Sequence, residues 1–374
     1  MASGLPSVIP GDGGDALNPP VTGLLAAGYP RGLSLLAGLI MAALGVLLAG
    51  CQTPRLRPGA DPGFDAVEAS LQDGDVAVML SAAPDAALLG VFSNGAAPGP
   101  VYSHAELLLR SARGEWLLAG VSSGKVQQRP LRRAVGGLLR LAVYRARLPQ
   151  EQRDEIPRQM RLWLEDPVLS RASFDYTMQD VPGRSSSLYC VGFANEIYRR
   201  AALPEPFPRT ARALTRIGDH LQQLAGVRPE QVVNANAVKQ NPSFVLAGTW
   251  RNPAFSDDDV LVREETARGL LRDYEADWRL TPARGVNVSL LVGEWFYGFP
   301  RSAEAVARYG GAYLDYAHSI QRTWDRAQRR GRLQGLTVSE KSALLESIRE
   351  AYRPAFGVSV QPDPGMPVSP AVGF

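Results

Sequence analysis

Reactive side chains are scarce in this sequence: 374 residues carry only two cysteines and three histidines. Lysine is nearly absent. Lys125, Lys239 and Lys341 are the whole complement, so arginine supplies almost all of the positive charge. The net charge is only +3 and no basic block occurs, which removes the electrostatic case for nucleic acid as a partner. His104, His220 and His318 fall on different predicted elements without ligand spacing, so neither a metal nor a cofactor is expected. The chain also lacks internal repeats. With 45% hydrophobic and 21% charged residues it is composed like a globular protein, which excludes wholesale disorder and fibrous architecture. Its length suggests about two or three domain-sized units.

One long apolar run is present. Leu33 to Gly50 holds Ser34 as its only polar residue, with Arg31 before it and Cys51 after it. The run could be a short membrane helix, but it ends in Leu48-Ala49-Gly50-Cys51. Small residues before a cysteine resemble the lipobox of bacterial lipoproteins. There the peptide is cut before the cysteine, the thiol is diacylated and the new N-terminus is anchored. Residues 1–50 are therefore expected to be a signal peptide, Cys51 the lipidation site and 51–65, rich in Pro and Gly, a tether. Gln52 after the anchor cysteine favours the outer membrane, by resemblance to enterobacterial sorting. Cys190 then remains as the only free thiol in an oxidising compartment, where no intramolecular disulfide can form.

Beyond the tether, strand patterns dominate to about residue 148. Val76, Val78 and Leu80 alternate in GDVAVML. In VYSHAELLLR the alternation puts His104, Glu106 and Leu108 on one face and Ala105, Leu107 and Leu109 on the other. GEWLLAGV follows a turn at Ala112-Arg113-Gly114 and reads as the hairpin partner of the His104 strand. LLRLAVYRA is another strand, and Pro98 to Pro100 mark a loop over 93–100. Helices are predicted over 150–165, over the segment that follows Ser185 to Ser187 as N-cap residues, and over 210–225. From 251 to 362 the pattern is helical, including about 302–330 and a helix opened by the capping-box spelling Thr337-Val338-Ser339-Glu340. Residues 363–374 read as a tail.

The chemistry centres on Cys190. In the first turn of a helix its sulfur feels the positive end of the helix dipole, which favours thiolate. An imidazole partner would complete an activated nucleophile. His220 reads as an exposed polar residue on a short helix, and His318 sits mid-way along an amphipathic helix. His104, on a strand beside a Gly/Pro loop, is the stronger candidate.

GDVAVML, SHAELLL, FDYTM and LYCVGFANEIYRRA, in that order, resemble the circularly permuted NlpC-type branch of papain-like cysteine hydrolases, the YiiX- and YaeF-like proteins. The likeness covers about residues 70–250. It implies an α+β fold, a permuted papain-like domain over 66–250 with an antiparallel sheet packed on helices, and the helical pattern adds a C-terminal α-helical extension over 251–362. It also implies Cys190 as nucleophile and His104 as general base, with Asp175 and Tyr176 structural near the site. The family usually orients its imidazole with an acidic or polar residue on the next strand, and here the matching position is about Ala119. Loss of an orienting group can cost ~10⁴-fold in a triad. Glu106 is the substitute on offer, with its Cα ~6.6 Å from that of His104 along the same strand face; Ser122 and Ser123 are weaker.

The resemblance implies a thiol hydrolase that works through an acyl-thioester, and the lipobox would place it in the cell envelope, anchored and facing the periplasm, where amide bonds of peptidoglycan or peptides are the expected target. Two alternatives stay open. One is a lipid acyl hydrolase or acyltransferase of the same fold. The other is a degenerate lipoprotein that binds a peptide, glycan or lipid, which the blank at Ala119 would favour. Trp295-Phe296-Tyr297 with Phe299 reads as core packing, and Asp257 to Asp259 as an acidic helix start behind Ser256.

Overall fold

The computed structural model describes residues 61–82, 86–87, 90–91, 100–122, 125–174, 187–208, 233–276, 278–281 and 303–359. The apolar run, Cys51, Asp175, Tyr176, His220, the predicted helix over 210–225 and the aromatic run at 295–299 lie outside these residues. Among the described residues, no helix is long and apolar enough to cross a membrane.

The segment expected to be a tether ends earlier than its composition suggests, because α1 runs Pro62–Ser70. Asp61 accepts hydrogen bonds from the Gly63 and Phe64 amides, and Pro62 stands in the first turn, where its missing N–H costs nothing. Phe64 then stacks edge-on against Trp250 at 5.5 Å, and the Trp250 indole donates to Asp61.

The sheet is built from β1 (Val76–Ser81), β2 (His104–Arg110), β3 (Trp116–Ser122), β4 (Lys125–Pro130), β5 (Leu138–Ala146) and, much later in the chain, β8 (Phe244–Arg251). The six strands lie in the order β4-β3-β2-β1-β5-β8, every neighbouring pair antiparallel. Gly114, at φ +80°, takes the left-handed position in the turn from β2 to β3. The short helix α2 (Leu131–Val135) leads from β4 into β5.

Alternation along the strands divides the core in two. Val76, Val78, Ala105, Leu107 and Leu109 join a cluster with Ile156, Met160 and Trp163, and with Phe193 and Ile197 of the helix that begins at Cys190. Ala77, Met79, Leu108 and Leu118 join another with Phe64, Val67, Leu131 and Trp250. The sheet is thus buried on both faces. Ile156, Met160 and Trp163 belong to α4 (Glu155–Glu165), which follows the single turn α3 (Gln150–Arg153), and Pro157 is accommodated near the start of α4. β6 (Ser173–Phe174) pairs in parallel with β7 (Ser187–Leu188) just before α5 (Cys190–Arg200). Tyr189, not one of the predicted serines, is the N-cap of α5, and its side chain makes no capping bond there.

Among the described residues, the later part of the chain forms three long helices and a small antiparallel pair. α6 (Asp257–Glu275) opens with a Ser256–Asp259 capping box, and α8 (Val338–Phe356) with the Thr337–Glu340 box that its spelling predicts. Between them come β9 (Trp278–Leu280) and α7 (Ala303–Arg329), and β10 (Gly357–Ser359) returns to pair with β9. Phe255 and Ala267 pack with Leu80 and Leu139 of the sheet, and residues 53–374 form one compact unit.

The helical cluster encloses a buried cation. Arg349 is 1% exposed and donates to Asp273 at 2.5 Å, with Glu346 as a second partner. Gly269 on α6 leaves the room for the guanidinium, since a Cβ there would collide with it. Gly269→Ala is therefore expected to destabilise the protein by about 1–3 kcal/mol, the usual cost of overpacking. Urea unfolding checks this, and an unchanged midpoint would contradict it.

Candidate active site

His104 is the first residue of β2 and Cys190 the first of α5. The fold brings these two beginnings together: the Cys190 sulfur and the His104 ring share a hydrogen bond. Cys190 is 7% exposed, while the His104 side chain keeps 25% of its surface open. His318 lies exposed on α7, apart from this site.

A short segment far along the chain fixes both partners. The Tyr189 hydroxyl, immediately before the sulfur, donates to the Val233 carbonyl at 2.8 Å and accepts from the Val233 amide at 3.1 Å. Three residues later, Asn236 takes the Tyr102 amide on its Oδ1 and donates from Nδ2 to the Tyr102 carbonyl, both at 2.9 Å. Asn236 is 3% exposed and acts as an extra rung of sheet two residues before His104.

Glu106 has no exposed side-chain surface, and its Oε1 lies 3.1 Å from His104 Nε2. With Nε2 engaged there, Nδ1 is the ring nitrogen open to the sulfur. The other carboxylate oxygen, Oε2, accepts from Arg129 Nε at 3.2 Å and Nη2 at 3.0 Å. Ala119 pairs with Leu107, so the residue beside Glu106 is Gly120. A Cβ on Gly120 would stand 2.6 Å from Glu106 Cγ. The neighbouring strand thus offers a space where an orienting side chain was expected, and the carboxylate from β2 occupies it.

The charges reinforce one another. Burial alone would push the Cys190 thiol up, but the His104 charge and hydrogen bond outweigh it, with backbone hydrogen bonds to Ala105 and Val191, and the pKa is lowered. Burial likewise opposes an imidazolium at His104, yet the Cys190 thiolate and then Glu106 raise that ring to about 10. Glu106 is held below the usual carboxylate range: hydrogen bonds and charges of His104 and Arg129 overcome its desolvation. The shifts run in one direction: the sulfur is drawn towards thiolate and the ring towards imidazolium, with the Glu106 carboxylate behind them. Such a group can attack a carbonyl carbon and then supply the leaving group with a proton. Among the described residues, no cluster of His, Cys, Asp and Glu could hold a metal ion.

Sequence reasoning did not single out Arg129, Gly120, Tyr189 or Asn236 for this site. The buried asparagines of the NANAV segment and the glycine two positions after Leu118 are the signals that were available.

No protein-family model matches the chain, and no curated protein matches it. Among solved structures, the metalloprotein YiiX from Escherichia coli O157:H7 is similar over 49% of this chain and 99% of its own, at 15% identity and a TM-score of 0.39.

Because Glu106 titrates lower in the folded state, it contributes stability above the ordinary carboxylate pKa, and that contribution is lost as pH falls. Glu106→Gln is therefore expected to show a smaller loss of unfolding free energy between pH 7 and pH 3 than wild type. Equal losses in paired urea titrations would contradict the ionised, partnered state of this carboxylate.

Proposed function

We propose that this protein is a thiol hydrolase of permuted papain-like, NlpC-type architecture, lipid-anchored at Cys51 in the bacterial cell envelope and acting on amide bonds of peptidoglycan or peptides. The observation that carries the reading is the hydrogen bond between the Cys190 sulfur and the His104 ring at the start of an 11-residue helix. The thiolate adds to the carbonyl carbon, and the oxyanion is met by backbone N–H groups at the start of α5, an arrangement worth on the order of 3 kcal/mol in comparable sites. The C–N bond then breaks as the imidazolium gives its proton to the leaving amine. Water, deprotonated by His104, releases the acid from the acyl-thioester and restores the sulfur.

Alkylation tests the dyad. Iodoacetamide should modify Cys190 rapidly at pH 6 in wild type and far more slowly in His104→Ala, read on the Cys190 peptide by mass spectrometry. Equal rates would sink the proposal. Purified murein and phospholipid vesicles then decide the bond class: release of peptides or amines that stops in Cys190→Ser supports amide hydrolysis, whereas release of fatty acid alone overturns that choice.

The anchor has its own test. Metabolic labelling with a palmitate analogue should mark the mature protein that begins at Cys51 and be abolished by Cys51→Ser; labelling that persists in the variant refutes the anchor.

A further inference from the structure

The arginine behind Glu106 is not used by the reaction just described. We infer that Arg129 is a positioning residue: by keeping Glu106 ionised and aimed at His104 it sets how much of the Cys190 sulfur is held as thiolate. The inference rests on the proposed dyad and goes beyond it.

The geometry separates two tasks on one carboxylate. Both Arg129 nitrogens converge on Oε2, at 3.2 and 3.0 Å, and leave Oε1 to His104 Nε2 at 3.1 Å. The side chain of Glu106 is 0% exposed, so water offers the charge nothing. A buried carboxyl without a cation goes neutral. The imidazolium cannot be that cation on its own, because it is shared with the thiolate and exists only in one of two proton arrangements. A guanidinium does not titrate, and it supplies a charge that is present in both. Gly120 opens the space between β2 and β4 through which Arg129 reaches across β3.

The consequence lies in a balance that pH does not touch. Thiolate with imidazolium, and thiol with neutral imidazole, hold the same number of protons. What favours the charged arrangement is the negative charge beside the ring. If Glu106 takes up a proton, the pair shifts towards thiol and imidazole, and the nucleophile is lost without any change in the sulfur's position.

The alternative role for Arg129 is to tie β4 to β2, and a pH profile separates the two. Cys190 alkylation is followed in the full-length chain from about pH 5 to pH 9. Wild type is expected to show a plateau through neutrality. Arg129→Gln should react more slowly at pH 6 by on the order of tenfold, equivalent to one pKa unit, and should regain rate through an added inflection where Glu106 ionises. Arg129→Lys should restore the plateau. Arg129→Gln combined with Glu106→Gln, which leaves no unpaired buried charge, should be slow with no such inflection. An Arg129→Gln profile that superimposes on wild type, or a uniform loss without the inflection, overturns the role. Infrared difference spectra of wild type against Glu106→Gln give an independent reading: an ionised carboxylate at pH 6 is required, and a protonated one overturns the inference. Slow wild-type alkylation at pH 6 that His104→Ala leaves unchanged would instead remove the dyad, and this inference with it.

Discussion

The contact between the Cys190 sulfur and the His104 ring joins the start of a helix to the start of a strand, and the surrounding structure is arranged to keep those two beginnings in place. Each atom is weakly disposed to its charged state when considered alone. Both are desolvated, and desolvation favours thiol and neutral imidazole. Placed together they reverse that preference, the sulfur moving down and the ring moving up to about 10. The charge separation is thus a property of the pair and of the distance between its members, which makes positional control the central requirement of the fold.

That control comes from three directions. The apolar residues of β2 and α5 share one core cluster, which fixes the helix against the sheet. The segment from Val233 to Asn236 clasps Tyr189 on one side and Tyr102 on the other, so one short stretch holds the residue before the sulfur and the backbone just ahead of the histidine. Glu106, set into the space beside Gly120, then holds the ring at Nε2. Directional hydrogen bonds add to packing here because a nonspecific apolar contact would tolerate the small rotations that separate sulfur from nitrogen.

Much of this was legible in the sequence wherever the governing interaction is local. Period-two alternation placed Leu108 in one core and Ala105, Leu107 and Leu109 in the other. The helix that begins at Cys190, the turn at Gly114 and both capping boxes follow from side chains within a few residues of each other. The short spacing from His104 to Glu106 made that carboxylate a visible candidate for the place where its ring contact now stands. Non-local partners were not legible. Arg129 meets Glu106 only because β3 lies between their strands, and Val233 meets Tyr189 across 44 positions of sequence. The expectation at Ala119 looked for a side chain on the neighbouring strand. The residue that faces Glu106 is one step further along, and it matters for having no side chain at all. Composition misled once more at the tether, where Asp61 and Pro62 signal a helix start inside a Pro/Gly-rich stretch.

Activation of the Cys190 sulfur depends on the protonation of one ring. Nitrogen-15 NMR of the His104 imidazole, recorded across pH in wild type and in Cys190→Ser, reads it directly. The ring is predicted to stay doubly protonated through neutrality, far above its ordinary value of 6.5, and to fall back towards that value once the thiolate is removed. A wild-type ring that titrates near 6.5, or one that Cys190→Ser leaves unmoved, would contradict the thiolate–imidazolium pair.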